Sequence, residues 1–130
     1  MKSINYFLLL VFALALTIPS CKKDAKTATE ILTSKSWKMT SFKINSVELI
    51  EDCDKDDFIT FLAGGTYTYN VGTTTCYDGD VNYDGTWSLS ADEKTLTVDG
   101  VGATVVITES QCTITYADGS DSITMIYIPK

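Results

Sequence analysis

Apolar and polar side chains alternate with a period of two through much of the chain, which is the pattern of a β-strand with one buried face. The run TYTYNV places Tyr67, Tyr69 and Val71 on one face. The run GTWSLS places Trp87 and Leu89 on one face, with threonine and serine on the other. Threonine-rich faces favour strands, because a branched Cβ loses freedom in a helix. Eight strands are predicted, over WKMTSFKI, FITFLA, TYTYNV, GTWSLS, TLTV, TVVIT, QCTITYA and DSITMIYIP.

Short turn signals separate most of these strands, and the sequence Asp118-Gly119 is a strong hairpin signal. Longer connections are expected only near residues 50–57 and 72–84. Eight sequential antiparallel strands predict an all-β fold, a small up-and-down barrel, because closure removes exposed strand edges. A two-sheet sandwich is the alternative. A barrel of this size is either filled by side chains or holds one small ligand.

One helix is predicted, in the segment TATEILTSKS before the first strand. Thr27 or Thr29 is a suitable N-cap, since a threonine side chain can accept a hydrogen bond from the first turn. Ile31 and Leu32 would then pack over one end of the sheet.

The first residues predict export. Residues 4–16 are almost wholly apolar, which matches the core of a signal peptide and is short for a bilayer span of roughly 20 residues. A single anchoring helix is the alternative. Ile18-Pro19-Ser20-Cys21 resembles a bacterial lipobox, which implies cleavage before Cys21 and lipid attachment to its thiol. Two or three acyl chains would hold a small domain firmly on a membrane.

These signals predict three segments: a signal peptide over residues 1–20, a lipidated tether over 21–28 and a globular domain over 29–130. The tether begins with Lys22-Lys23-Asp24, which resembles surface-export signals of lipoproteins from the Bacteroidota. The predicted location is therefore the cell envelope, as an outer-membrane lipoprotein on its periplasmic or surface face. The membrane is the first expected partner, through the N-terminal lipid.

The charged residues exclude several function classes. The net charge is −7, and the sequence contains neither arginine nor histidine. An acidic chain without arginine has no basic face for nucleic acid. The absence of histidine removes the Ser-His and Cys-His pairs of many hydrolases and the commonest zinc ligand. No enzyme activity, catalytic residue or cofactor is predicted.

Two acidic segments, EDCDKDD and DGDVNYD, raise the question of a metal site. The second, read from Asp80, matches the first half of an EF-hand calcium loop. Its closing ligand would fall on Ala91, which has no oxygen to offer, and a strand is predicted where a helix should follow. The favoured interpretation is exposed turns, in which Asp, Asn and Gly are common. No metal site is predicted, although a looser calcium site is an alternative, with Asp78, Asp80 and Asp84, or Asp54 and Asp57, as its ligands.

A series of short motifs in a fixed order resembles the lipocalin-like domain of Bacteroidota lipoproteins. The motifs are SW.MTSF, C.KDDFITFLAGGTYTY, a second cysteine, GTWSLSADEKTLTV and VVITESQCTITY. The residues that carry the resemblance are Trp37, Cys53, Asp56, Asp57, Phe61, Gly65, Thr66, Tyr67, Cys76, Gly85 and Trp87. The resemblance spans nearly the whole mature chain and implies a lipocalin-like barrel.

The remaining cysteines suggest one disulfide, because exported proteins fold in an oxidising compartment. Cys53 and Cys76 lie in the two long loops, and the resemblance also pairs them. Their bridge could contribute roughly 3 kcal/mol by the chain-entropy model. Cys112 alternates with Ile114 and Tyr116, so it should be a buried free thiol. Because no base is near it in the pattern and burial would raise its pKa, a nucleophilic role is not predicted.

The aromatic residues could line a ligand cavity or fill the barrel. Short strands make a narrow core and favour filling. If a cavity exists, its candidate ligand-binding residues are Tyr67, Tyr69, Trp87 and Tyr116.

The predicted function is a lipid-anchored, lipocalin-like protein of the cell envelope that binds a small apolar or amphipathic ligand without catalysis. The alternative is a structural or interaction lipoprotein. Such a protein would dock an envelope protein partner through its acidic loop end and hold no ligand in the barrel.

Overall fold

The computed structural model of the protein describes residues 24–130. The predicted signal peptide and the lipid attachment at Cys21 lie outside these residues. Within residues 24–130, no helix combines the length and the apolar character needed to cross a membrane.

The described chain contains one short helix, one 3₁₀ turn and nine strands. Helix α1 spans Ala28–Thr33, and the 3₁₀ turn spans Asp54–Asp56. The strands are β1 (Ser36–Ile44), β2 (Val47–Glu48), β3 (Phe58–Phe61), β4 (Thr66–Asn70), β5 (Tyr83–Leu89), β6 (Thr95–Val98), β7 (Val101–Ile107), β8 (Cys112–Asp118) and β9 (Asp121–Pro129).

Eight of the strands form a closed antiparallel barrel. The hydrogen-bonded order runs from β1 to β3 and then in sequence to β9, which pairs back onto β1. The closing pair holds Trp37 opposite Pro129 and Ile44 opposite Ile123, with a bulge between Met39 and Ser41. The predicted up-and-down barrel is confirmed. Strand β2 is an addition: a two-residue hairpin on β1 that is too short to show any alternation.

Helix α1 covers one end of the barrel. Thr27 is its N-cap: its hydroxyl accepts from the Glu30 backbone N–H at 3.2 Å, and the Glu30 carboxylate accepts from the Thr27 N–H at 2.8 Å. This reciprocal pair is a capping box, which satisfies two backbone donors of the first turn. Leu32 is fully buried, and its carbonyl accepts from the Trp37 indole N–H at 2.9 Å.

The connections divide the barrel into two unlike ends. The helix end carries α1 and the short connections 62–65, 90–94 and 108–111. The opposite end, here the loop end, carries the long loops 45–57 and 71–82 and the hairpin turns 99–100 and 119–120. The largest fully buried side chains all lie toward the helix end, and they are Trp37, Phe61, Leu32, Leu96 and Cys112. The barrel is closed and its core comes from residues 31–127, so residues 24–130 hold all eight barrel strands and the core between them.

A disulfide joins Cys53 to Cys76 and ties the two long loops together, as predicted. It closes a loop with a sequence separation of 23 residues. Cys112 is a buried free cysteine, also as predicted, and burial raises the pKa of its thiol to about 12.

Candidate functional site

The barrel interior is open at the loop end and forms a cavity of about 460 Å³. This volume falls within the range of roughly 300–1,000 Å³ that is usual for small-ligand sites. The cavity is lined by Ile59, Phe61, Tyr67, Tyr69, Tyr83, Val98, Val101, Ala103, Ile114, Tyr116, Ala117, Asp118, Met125 and Tyr127.

The cavity changes character with depth. Phe61, Ala103 and Ile114 are buried and form its apolar base. Tyr83 and Asp118 are exposed, at the start of β5 and the end of β8, and they form its mouth. A ligand with an apolar body and a polar end fits this gradient, because each part would lie in a matching environment.

Tyrosine rings form much of the wall. The rings of Tyr69 and Tyr83 stack with their centroids 4.9 Å apart, and Tyr67 meets Tyr83 edge to face at 6.2 Å. Strand pairing explains the stacked contact, since Tyr69 lies directly opposite Tyr83 in the β4–β5 ladder. Such aromatic pairs add stability beyond the area they bury, so these rings form a rigid wall.

Two carboxylates hold the tyrosine hydroxyls in place. Tyr67 donates to Asp99 at 2.5 Å, and Tyr69 donates to the buried Asp57 at 2.7 Å. Burial, with help from these carboxylates, raises the pKa of both phenols well above 10. The hydrogen bond from Tyr67 lowers the pKa of Asp99. At neutral pH both phenols therefore stay protonated, and Asp99 stays charged.

Gly85 leaves the space that Tyr67 and Asp99 occupy. A Cβ at this position would lie 2.5 Å from both the Tyr67 ring and an Asp99 carboxylate oxygen. A separation this short is a clash, so the tyrosine could not lie where it does beside any larger residue.

The structure brings together most of the predicted ligand-binding residues. Tyr67, Tyr69 and Tyr116 line the cavity. Trp87 does not line it, which differs from the prediction. Its ring packs edge to face on Phe61, and its indole N–H donates to the Leu62 carbonyl at 3.0 Å, so it belongs to the filled helix end. Period-two alternation shows that a side chain points inward but not how deep in the barrel it lies.

Sequence reasoning missed Tyr83 as a cavity residue, and it counted Tyr127 among the aromatic residues that could line a cavity without naming it as a ligand-binding candidate. Tyr83 was assigned to a loop because the acidic segment before it reads as a turn, whereas β5 begins at Tyr83. Tyr127 alternates with polar and apolar residues on β9, and its inward position was visible in the pattern. The expectation of a filled barrel holds only at the helix end and is wrong at the loop end.

Aspartates of the two acidic segments hold the long loops in place by accepting hydrogen bonds from the loop backbone. Asp56 accepts from the backbone N–H groups of Thr73 and Thr74 at 2.8 and 3.1 Å, which lowers its pKa. Asp80 accepts from the Cys76 N–H at 2.9 Å. These contacts support the interpretation of the segments as turns, in which Asp side chains hydrogen-bond nearby backbone.

The geometry does not favour a metal ion. Asp84 lies in strand β5 rather than in a calcium loop, so the EF-hand interpretation is excluded. Among the described residues, Glu51, Cys53 and Cys76 come close enough together to suggest a metal site. Both of those sulfurs are joined in the disulfide and cannot act as thiolate ligands.

The family model of the lipocalin-like domain matches residues 33–128. The match runs from just before β1 to the end of β9 and therefore covers the closed barrel and its cavity. No curated protein matches the sequence significantly. The chain belongs to the lipocalin-like domain family.

Proposed function

We propose that this protein binds a small apolar or amphipathic molecule in the cavity at the loop end and does not catalyse a reaction. The observation that carries the proposal is the cavity of about 460 Å³ with an apolar base and a tyrosine-rich wall. The lipocalin-like fold is consistent with such a site, since an eight-stranded barrel is wide enough for one small ligand.

The polar groups of the wall favour recognition by shape and burial. The hydroxyls of Tyr67 and Tyr69 already donate to Asp99 and Asp57, so a ligand cannot use them as donors without breaking those bonds. The remaining surface is mostly aromatic and aliphatic carbon, which stabilises a ligand by about 25 cal/mol per Å² of apolar surface removed from water.

The chemistry of the wall also supports a binding role over catalysis. Covalent catalysis needs a nucleophile with an adjacent base. The titratable side chains that line the cavity are tyrosines, such as Tyr69 with its raised pKa, and the exposed Asp118. Tyr67 and Tyr69 do donate to carboxylates, but burial raises the pKa of both phenols, so the phenols stay protonated and are poor nucleophiles.

The ligand itself can be tested by native mass spectrometry. Residues 24–130, exported behind a cleavable leader, would be measured first under native and then under denaturing conditions. We expect an additional mass of a few hundred daltons that disappears on denaturation. A ligand-free mass that also stays unchanged after incubation with a total lipid extract would contradict the proposal.

Lipid anchoring at Cys21 is the second part of the proposal, and it rests on the lipobox-like segment. The chain enters the fold at Thr27, on the helix end. Six chain steps separate Cys21 from Thr27 and span at most about 20 Å. An anchored protein would therefore hold its helix end near the membrane and its cavity mouth facing away, at the envelope of a Bacteroidota-type bacterium.

Labelling with a palmitate analogue tests the anchor. The full chain should take up label and partition into the membrane fraction, and a Cys21→Ser variant should do neither. Equal labelling of both forms would contradict lipid attachment at Cys21.

Docking to an envelope protein is a second candidate function, and one observation favours it. Val47, Tyr77 and Val81 are exposed apolar residues on the long loops, and Tyr77 is 68% exposed. Crosslinking in intact cells through a photoreactive residue at position 77 should give a defined product under this hypothesis. Absence of a product would leave the cavity as the functional site.

A further inference from the structure

We propose that the cavity selects amphipathic ligands with a cationic head group, whose tail fills the apolar base and whose head lies at the mouth. The inference rests on the proposed ligand-binding function and specifies its ligand class. It is carried by the charges and rings that surround the mouth.

Among residues 24–130, no cationic side chain lines the cavity to receive an anionic head. Of the described residues that line it, only Asp118 is charged, and it lies at the mouth. Behind the tyrosine wall, the carboxylates of Asp99 and Asp57 accept from the Tyr67 and Tyr69 hydroxyls. An anionic head at this position would lose water without gaining a partner, and it would meet charge of its own sign.

The loops around the mouth add further negative charge. Residues 43–57, 71–84, 99–100 and 118–121 contain twelve carboxylates and two lysines, Lys43 and Lys55. Lys55 is itself paired with Asp52 at 2.6 Å. A mouth lined by one sign of charge concentrates ions of the opposite sign and raises their rate of entry.

The excess of negative charge is not a general property of the surface, because the helix end carries lysines that pair with a carboxylate. Lys26 and Lys35 both pair with Glu109 at 3.0 Å, in the turn between β7 and β8. The negative field is therefore concentrated at the end where the cavity opens.

The tyrosine rings supply the second interaction that favours a cation. An ammonium group over an aromatic face gains about 0.5–2 kcal/mol, depending on how far it is desolvated. Tyr83 lines the cavity and is half-exposed at its mouth, so part of its ring stays accessible to a head group beside the contact with Tyr69. The hydrogen bonds from Tyr67 and Tyr69 to carboxylates shift electron density onto those phenol rings, which further favours a cation.

Three ligands with one tail and different heads test the inference: decyltrimethylammonium, decanol and decanoate. Each would compete at pH 7 with the neutral fluorescent probe N-phenyl-1-naphthylamine bound to residues 24–130, at concentrations where the ligand is fully dissolved and forms no micelles. We expect the ammonium compound to bind at least about tenfold more tightly than decanoate, a difference of about 1.4 kcal/mol in binding free energy. The affinity of decanol should lie between the two. Raising the salt from low to high concentration should shrink the difference, since exposed charges are screened.

Matched variants separate the mouth from charge in general. Asp118→Asn should weaken the ammonium ligand several-fold more than it weakens decanol. Asp92→Asn removes the same charge from the β5–β6 turn at the helix end and should change neither. Ammonium binding that survives an Ala103→Phe substitution, which fills the cavity, would show attachment to the outer surface and overturn the inference.

The outcomes distinguish this inference from the proposed function. If the probe and decanol bind but decanoate binds as tightly as the ammonium compound, the head-group inference is wrong and the binding function stands. If neither the probe nor any of the three ligands binds, both are wrong.

Discussion

Tyr67 illustrates how single residues build the cavity wall. Its ring fills the space beside Gly85, and its hydroxyl is fixed by Asp99, which also accepts from the Thr86 backbone N–H at 2.8 Å. Tyr67, Gly85 and Asp99 come from β4, β5 and the β6–β7 turn, and each depends on the others for its position.

Gly85→Ala should destabilise the barrel by about 1–3 kcal/mol, the usual cost of overpacking, because the new methyl group would overlap the Tyr67 ring. The matched control is Gly102→Ala in β7, where the nearest atom to the added Cβ is a Thr95 methyl at an ordinary 3.8 Å. This variant should be neutral or slightly more stable, since alanine restricts the unfolded chain. Urea unfolding measures both. Equal losses in the two variants would contradict the role assigned to Gly85.

The contribution of Asp57 to stability can also be tested by a single substitution. It is buried, and its two oxygens accept from the Tyr69 hydroxyl and the Gly72 N–H. Asp57→Asn would replace one accepting oxygen with an NH₂ group that faces another donor, which should cost about 1–3 kcal/mol. The control is Asp84→Asn, at an exposed position of β5, which should stay within about 0.5 kcal/mol of the parent. A neutral Asp57→Asn variant in the same unfolding assay would refute this account of the loop.

At the scale of elements, periodicity predicted the barrel strands because inward residues alternate with outward residues that are mostly polar. The start of β5 was placed late, since the Asp-rich segment before Tyr83 has turn composition although its last residues pair with β4. The helix N-terminus was predicted at Thr27 or Thr29, and the structure has its N-cap at Thr27, where the Glu30 side chain completes the capping box. The depth of Trp87 could not be predicted, because it depends on how far each strand is shifted against its neighbours around the closed barrel.

The disulfide fixes the two long loops beside the mouth. Replacing both Cys53 and Cys76 with alanine should lower the free energy of unfolding by about 3 kcal/mol, because the unfolded chain regains the entropy of a loop of this length. Urea unfolding with and without reductant measures the loss, and the double variant should no longer respond to reductant. The Cys112 thiol should resist modification in the folded state of both proteins. Full stability of the reduced parent would contradict a stabilising role for the bridge.

Over the whole molecule, titrating groups set the pH range of stability. The pKa values of Asp56 and Asp99 are lowered from 3.8 by hydrogen bonds to their charged forms. Their contribution is therefore present above the pKa of the unfolded state and is lost as the pH falls through the lowered values. Tyr67, Tyr69 and Tyr127 have pKa values raised above 10, chiefly by burial, so their contribution is lost as the pH rises past 10.

Thermal melting across the pH scale should give a plateau between about pH 5 and pH 9, with losses on both sides. The double variant Asp56→Asn, Asp99→Asn should start less stable and lose less than the parent between pH 5 and pH 3. A parent and variant that lose stability in parallel over that interval would contradict the assignment to these two carboxylates.

The charge asymmetry of the molecule was only partly visible in the sequence. The acidic segments were evident, but their convergence on the cavity mouth follows from the alternation of connections between the two ends of a closed barrel. The size of the cavity was not predictable at all, because it depends on how far the filled layer of Trp37, Phe61 and Leu96 extends up the barrel.

The most direct test of a ligand-binding cavity is a fluorescence titration of N-phenyl-1-naphthylamine into residues 24–130 and two variants of strand β7. Ala103→Phe adds a ring inside the cavity, whereas Val106→Phe adds the same ring on the outer face, where Val106 is 61% exposed. We predict saturable binding to the parent and to Val106→Phe, and a loss of at least about tenfold in affinity for a folded Ala103→Phe. Equal binding by all three proteins, or no binding by the parent, would contradict the account.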